Sequence, residues 1–286
     1  MREATPPPTP TPVQPSAPRS LDKAISDGWS FCADNLAATS MTSFLMGIPG
    51  YLVAIFVDIR SGQLLGAACG MVGTMGIIRL VILSERDNLT PTVGACLKEG
   101  FGYWLRGVLG WIFMTACIAL TALLSWLALL PGSSLLNSQF KPAGITYLVI
   151  VGGLSLWAIG YTFLRVSLTL ALAAEPSLTS AMAFGAGLRA TKGQVWELFW
   201  GFLQLGFLTA MLSFIWSLFY AAADIVLGNE LPFAAAVIIT IILHYPLLFL
   251  SSWVAATIGK AYLAIISKNF GDHAKAVVSR SPANLH

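Results

Sequence analysis

The sequence predicts an all-α fold, a polytopic membrane bundle of six transmembrane helices with three amphipathic helices on the cytoplasmic side, arranged as three pseudo-repeats. Three observations predict it. Only 10% of the 286 residues are charged while 56% are hydrophobic, and the mean hydropathy is +0.76. A soluble domain carries about 25% charged residues, so this chain has too few polar groups to coat a water-facing body. Six separate stretches are each apolar over the ~20 residues needed to cross a hydrocarbon core. The third observation is a recurring order: amphipathic segment, span, then a span with a cation near its cytoplasmic end.

The chain begins with a Pro/Thr tract, "TPPPTPTPVQPSAP". Such a composition favours extended polyproline geometry and cannot bury a core. Residues 1–19 are therefore expected to be a disordered tail; its P-x-x-P spacing is also that of ligands for Pro-binding modules. Residues 20–270 form the six-helix domain and 271–286 a cytoplasmic tail. No charged-then-apolar signal peptide precedes them.

The expected spans are Thr39 to Val57, Gln63 to Leu83, Val108 to Leu130, Ile145 to Ala173, Phe199 to Val226 and Phe233 to Ile266. Every backbone group in hydrocarbon must be paired within its own segment, which leaves helices as the spanning form. Pro49 and Pro246 give causes for kinks in the first and last. Threading six spans puts fourteen of the sixteen Lys and Arg on one side and leaves only Arg60 and Lys141 on the other. The positive-inside rule then places both termini in the cytoplasm.

The three amphipathic segments carry bulky apolar residues at spacings of three and four. The stripes are Leu21, Ile25, Trp29, Cys32 and Leu36; Val93, Leu97, Phe101, Trp104 and Val108; and Leu178, Met182, Gly185, Leu188, Val195 and Phe199. Ser20 and Thr90-Pro91 are plausible starts for the first two. Such helices suit the headgroup boundary, with Trp29, Trp104 and Trp196 as anchors.

Within the third segment, "FGAGLRATKG" contains Gly185, Gly187 and Ala190 in the G-x-G-x-x-A order of a dinucleotide-binding turn. That turn needs a β-strand before it and an acidic residue about 20 positions on. Neither is present, and G-x-x-x-x-G-K-[ST] is also missing, so the glycines read as close helix approach. Gly66, Gly70, Gly73 and Gly76 stripe the second span and read as a packing face, within the bundle or against another copy, with intramolecular packing preferred because a polytopic chain has many internal helix contacts to satisfy.

Arg79, Arg165 and Lys260 sit near the cytoplasmic ends of the even-numbered spans. Ionisable groups within spans are costly and mark function by default. The plainer reading is that each snorkels to the headgroups and offsets a helix C-terminus. The sharper one is that they converge to hold anionic lipid phosphate, with Arg189 and Lys192 at the rim. His244, deep in the sixth span, lacks a carboxylate at equal depth, which favours a packed, hydrogen-bonded side chain over a proton relay. Cys32, Cys69, Cys96 and Cys117 form no C-x-x-C pair, so neither a disulfide nor a zinc site is expected. The net charge of +3 is too small for a nucleic-acid binder. No hydrolase or metalloprotease motif is present, and neither catalysis nor a cofactor is expected.

The segment "FLRVSLTLALAAEPSLTSAMAFGAGLRATKGQVWELF" resembles the hallmark region of bacterial six-span proteins of the YciC type. It is also similar to the membrane domain fused to some glycerophosphoryl diester phosphodiesterases. Arg165, Glu175-Pro176-Ser177, Ala181, Thr191-Lys192-Gly193 and Trp196 carry the likeness. It implies a bacterial inner-membrane protein tied to envelope or lipid homeostasis. The phosphodiesterase barrel is absent, so that activity does not carry over. The function expected is therefore non-enzymatic: lipid interaction or partner organisation at the cytoplasmic leaflet. The partners would be anionic headgroups and other membrane proteins. A transporter or lipid translocase is the alternative, since internal repeats and Pro/Gly interruptions suit one.

Overall fold

The structure, a computed structural model, describes residues 21–136, 140–227 and 246–265. Among these the regular elements are all helical: α1 (Leu21–Asp34), α2 (Leu36–Phe56), α3 (Ile59–Asp87), α4 (Val93–Leu136), α5 (Lys141–Val166), α6 (Thr169–Ala173), α7 (Ser180–Ala190) and α8 (Val195–Leu227), then α9 (Pro246–Ile265). Six helical stretches are long and apolar enough to cross a membrane: α2, α3, α4, α5 continued through α6, α8 to Phe219, and α9. Each expected span coincides with one of them, although residues 233–245 of the sixth, His244 included, lie outside the described residues.

Local chemistry explains the ends. Asp58 caps α3, accepting a hydrogen bond from Ser61 N at 2.9 Å, and Asn88 closes the helix in the left-handed region at φ 51°. Thr179 caps α7 through Met182 N. α4 begins two residues after Pro91, and Thr92 rather than Thr90 accepts from Ala95 N at 3.2 Å. A side-chain cap must reach the amide two or three residues on, and Thr90 lies too far from the first free N–H.

α3 is the centre of the bundle. More than half of its apolar window is buried, with Met75, Ile77, Ile78, Leu80, Val81 and Ile82 almost wholly enclosed. α2 and α4 flank it, and α9 crosses its second half, where Gly259 lies against Val81. α2 and α9 are joined by a buried Ser43–Ser252 hydroxyl pair at 2.7 Å. By contrast α4, α5 and α8 leave Trp111, Leu124, Trp126, Val149, Leu156, Phe207 and Phe214 outward. Such continuous apolar surface fits hydrocarbon and not water.

The amphipathic segments dock differently from one another. α1 and α7 are separate helices, whereas the second segment is the first part of the 44-residue α4. At 1.5 Å per residue α4 is about 66 Å long, roughly twice the hydrocarbon thickness, so its first turns extend past the span. In all three, small residues lie deepest and part of the bulky stripe packs beside them: Trp29 meets Phe249 and Trp253 edge-on at 5.1 Å, Trp104 Nε1 donates to the Ala68 carbonyl at 2.9 Å, and Ile25, Leu178 and Val195 lie against the core. Ala24, Gly28 and Cys32 are buried on α1; Cys96, Gly100, Gly107 and Gly110 on α4; Ala183, Gly187 and Ala190 on α7. Phe101 and Met182 point outward, about 60% exposed. Where lipid is the solvent, apolar burial gives no net drive and close backbone approach does the packing.

The glycine stripe of α3 divides the same way. Gly66 meets Gly50 of α2, Gly73 meets Met46, Gly76 meets the Cys96 backbone of α4, and Gly70 is open.

Candidate functional site

The charged residues of an apolar chain have few places to go. At the end of the bundle built by the last turns of α3, the start of α4, the α6–α7 turn and the last turns of α9, they meet one another. Arg79 Nε donates to Glu99 Oε2 at 3.2 Å. Lys260 Nζ pairs with Glu85 Oε1. Arg86 reaches Glu175 through Nη2 at 2.9 Å, with Nη1 at 3.5 Å from the other oxygen. The Tyr262 hydroxyl donates to Glu175 Oε1 at 2.8 Å.

Glu175 is the hub. Its side chain is 8% exposed, and it joins α3 and α9 to the turn that carries it. Arg106 fixes the same turn from α4, its Nη1 lying 3.3–3.4 Å from the carbonyl oxygens of Glu175, Pro176 and Leu178. Arg106 and Arg79 also flank the Tyr103 ring, at 5.4 and 5.2 Å from its centroid. Buried charges persist only when paired and hydrogen-bonded. Here each of the three carboxylates has a cation, and each pair bridges different parts of the chain. Arg79 Nη1 is buried and without a hydrogen-bond partner among the described residues; the stacked Tyr103 ring face lies nearby.

The five cations singled out in the sequence fall into two groups. Arg79 and Lys260 belong to this network and are 7% and 8% exposed. Arg165, Arg189 and Lys192 stand apart from it, where α5 and α7 end side by side. There the Thr191 hydroxyl lies 2.9 Å from the Gly187 carbonyl and 3.1 Å from the Arg165 carbonyl, so the two helix ends are in contact. Arg165 is half-buried and lies 5.9 Å from the Tyr161 ring centroid, while Arg189 and Lys192 are exposed. Gly193 takes φ +84°, a left-handed conformation that suits glycine, and it turns the chain from α7 into α8.

The G-x-G-x-x-A letters lie inside α7, a helix that follows another helix, so they do not form a strand-to-helix phosphate turn. Gly187 instead meets Thr169 of α6. Cys32, on α1, is buried, and burial pushes its thiol up to about 12, away from the range of a reactive thiolate.

Sequence reasoning missed Glu85, Arg86, Glu99, Arg106, Glu175 and Tyr262 as a group. The signal was their rarity: Glu85, Glu99 and Glu175 all fall on the expected cytoplasmic side of a chain with thirteen carboxylates in all. No family model, no curated protein and no solved structure matches the chain.

Proposed function

We propose that this chain is a non-enzymatic, multi-pass protein of the bacterial inner membrane that engages anionic phospholipid, or organises partner proteins, at the cytoplasmic leaflet. The observation that carries the reading is the sorting of charge. One end of the bundle holds the paired network and the Arg165, Arg189 and Lys192 corner, while the turn at the opposite end of α2 and α3 has Asp58 and Arg60. A basic end in a cytoplasmic leaflet meets a negative surface potential, and each cation near that surface contributes about 1 kcal/mol of attraction to anionic lipid.

The amphipathic segments support the same reading. Each is followed by two spans, and each docks on a cation-bearing span: α1 on α9, the start of α4 on α3, and α7 on the α5–α6 run. The order is what internal triplication of one unit would leave, and the resemblance to YciC-type proteins favours the bacterial inner membrane. The charged side chains of the network are engaged with one another as donors and acceptors, which suits a structural role for them better than proton or group transfer.

The test is lipid preference. Purified protein in nanodiscs of mixed phosphatidylglycerol and phosphatidylcholine is expected to enrich the anionic lipid in its immediate shell, read by mass spectrometry of the retained lipids, with the enrichment shrinking as salt rises. Random retention of the two lipids, with no protein co-purifying from native membranes, would remove the proposal.

A further inference from the structure

We infer that the anionic headgroup is seated at the α5–α7 corner, on Arg165, Arg189 and Lys192, and that Arg79 and Lys260 do not hold it. This rests on the reading above and names the place and chemistry of its ligand: the phosphodiester of an anionic glycerophospholipid.

The argument starts from the cost of a cation in a span. Three cation-bearing spans face the same problem, and two of them solve it within the protein. On α3, the docked segment supplies Glu99 to Arg79. On α9, Lys260 takes Glu85 from the end of α3. On α5, the docked helix is α7, whose eleven residues SAMAFGAGLRA contain no carboxylate. It brings Arg189 instead, and Lys192 follows one residue beyond its C-cap. Among the described residues none of these three forms an ion pair with a carboxylate.

Position supports a lipid ligand. The Thr191 hydroxyl lies 3.1 Å from the Arg165 carbonyl, which puts the two helix ends in contact, so the three cations start from within a few residues of one point. Arg165 closes the last turn of α5, within the apolar stretch Lys141–Ala173, so this corner sits where hydrocarbon gives way to headgroups. Beside it α8 opens with Trp196, Phe199 and Trp200 in mutual ring contact at 5.2–5.8 Å. Trp196 is 67% exposed. Exposed tryptophans at that depth sit at the headgroup level, and a phosphate there lies within reach of Lys and Arg. The C-terminal carbonyls of α5 and α7 offset part of the positive charge, and Glu197 in the first turn of α8 offsets one more unit, yet three cations exceed the roughly half-charge of each helix end and that one carboxylate together. The corner stays net positive.

Native mass spectrometry of the full chain in detergent, titrated with short-chain phosphatidylglycerol, tests the assignment. Arg189→Gln with Lys192→Gln changes only exposed side chains, and Arg165→Gln completes the set. Bound phosphatidylglycerol is expected to weaken about fivefold for each charge removed, with Arg60→Gln unchanged. Loss of binding in Lys260→Gln with full retention in the Arg189→Gln/Lys192→Gln variant would overturn the seat while leaving the lipid reading intact. No binding by the unaltered chain would overturn both. Displacement of the lipid by inorganic phosphate at millimolar concentration would identify a site for free phosphate and contradict the lipid assignment.

Discussion

Glu175→Ala is expected to loosen the charged end of the bundle more than any other single side-chain truncation. It leaves Arg86 without its carboxylate and the buried Tyr262 hydroxyl without its acceptor. Removing one member of a buried ion pair costs about 3–5 kcal/mol. The lower end applies here, because the Arg86 side chain keeps 21% of its surface exposed and can turn towards water. Glu175→Gln retains an acceptor for Tyr262 and loses only the charge, so its cost should fall to about 1–2 kcal/mol. Tyr262→Phe removes one hydrogen bond and should cost about 1 kcal/mol. Unfolding followed in mixed micelles by circular dichroism ranks the three. A Glu175→Ala protein as stable as the unaltered chain would mean that the hub does not hold α3, α9 and the α6–α7 turn together.

The second large effect is expected at Gly76. A side chain there would run into the Cys96 carbonyl oxygen of α4, which is backbone and cannot swing aside. Gly76→Leu should therefore force α3 and α4 apart. Overpacking a well-packed core costs about 1–3 kcal/mol, occasionally more, and the backbone contact places this substitution at or above the top of that range. Gly70→Ala, six residues earlier on the same helix, meets nothing within 4 Å and should be neutral or slightly stabilising. Thermal unfolding of the pair reads the difference. Equal behaviour would contradict the α3–α4 crossing.

Those two glycines mark what sequence could and could not reveal. Both belong to a stripe that reads as one packing face, because composition shows that small residues recur but not which neighbour each one meets. The spans were legible because a hydrocarbon solvent imposes a length and a composition that few other constraints imitate. α3 and α4 contain their predicted cores and run past them, since helices continue until a cap or a turn stops them. The docking faces of α1, α4 and α7 were only partly legible from the bulky stripes. Those stripes divide: Phe101 and Met182 face outward, Trp29 and Trp104 contact the bundle, and Ala24, Gly28, Gly100 and Gly187 make the closest approaches.

The network was illegible for a different reason. Lys260 and Glu85 lie 175 positions apart, and Arg86 and Glu175 lie 89 apart. No local period connects them; only the topology of the bundle does. What sequence did contain was the shortage of charge itself, and the side on which the remaining charges fall. The Thr191-Lys192-Gly193 run was visible as letters, and its meaning emerged only with Gly193 at positive φ and Thr191 in contact with the end of α5.

The account as a whole depends on which side of the membrane the charged end faces, and labelling with a membrane-impermeant maleimide decides it. In a background with Cys32, Cys69, Cys96 and Cys117 replaced, Arg60→Cys in intact spheroplasts is expected to label at once, and Arg189→Cys only after the membrane is permeabilised. Labelling of Arg189→Cys from outside, with Arg60→Cys protected, would reverse the orientation and contradict the cytoplasmic-leaflet role.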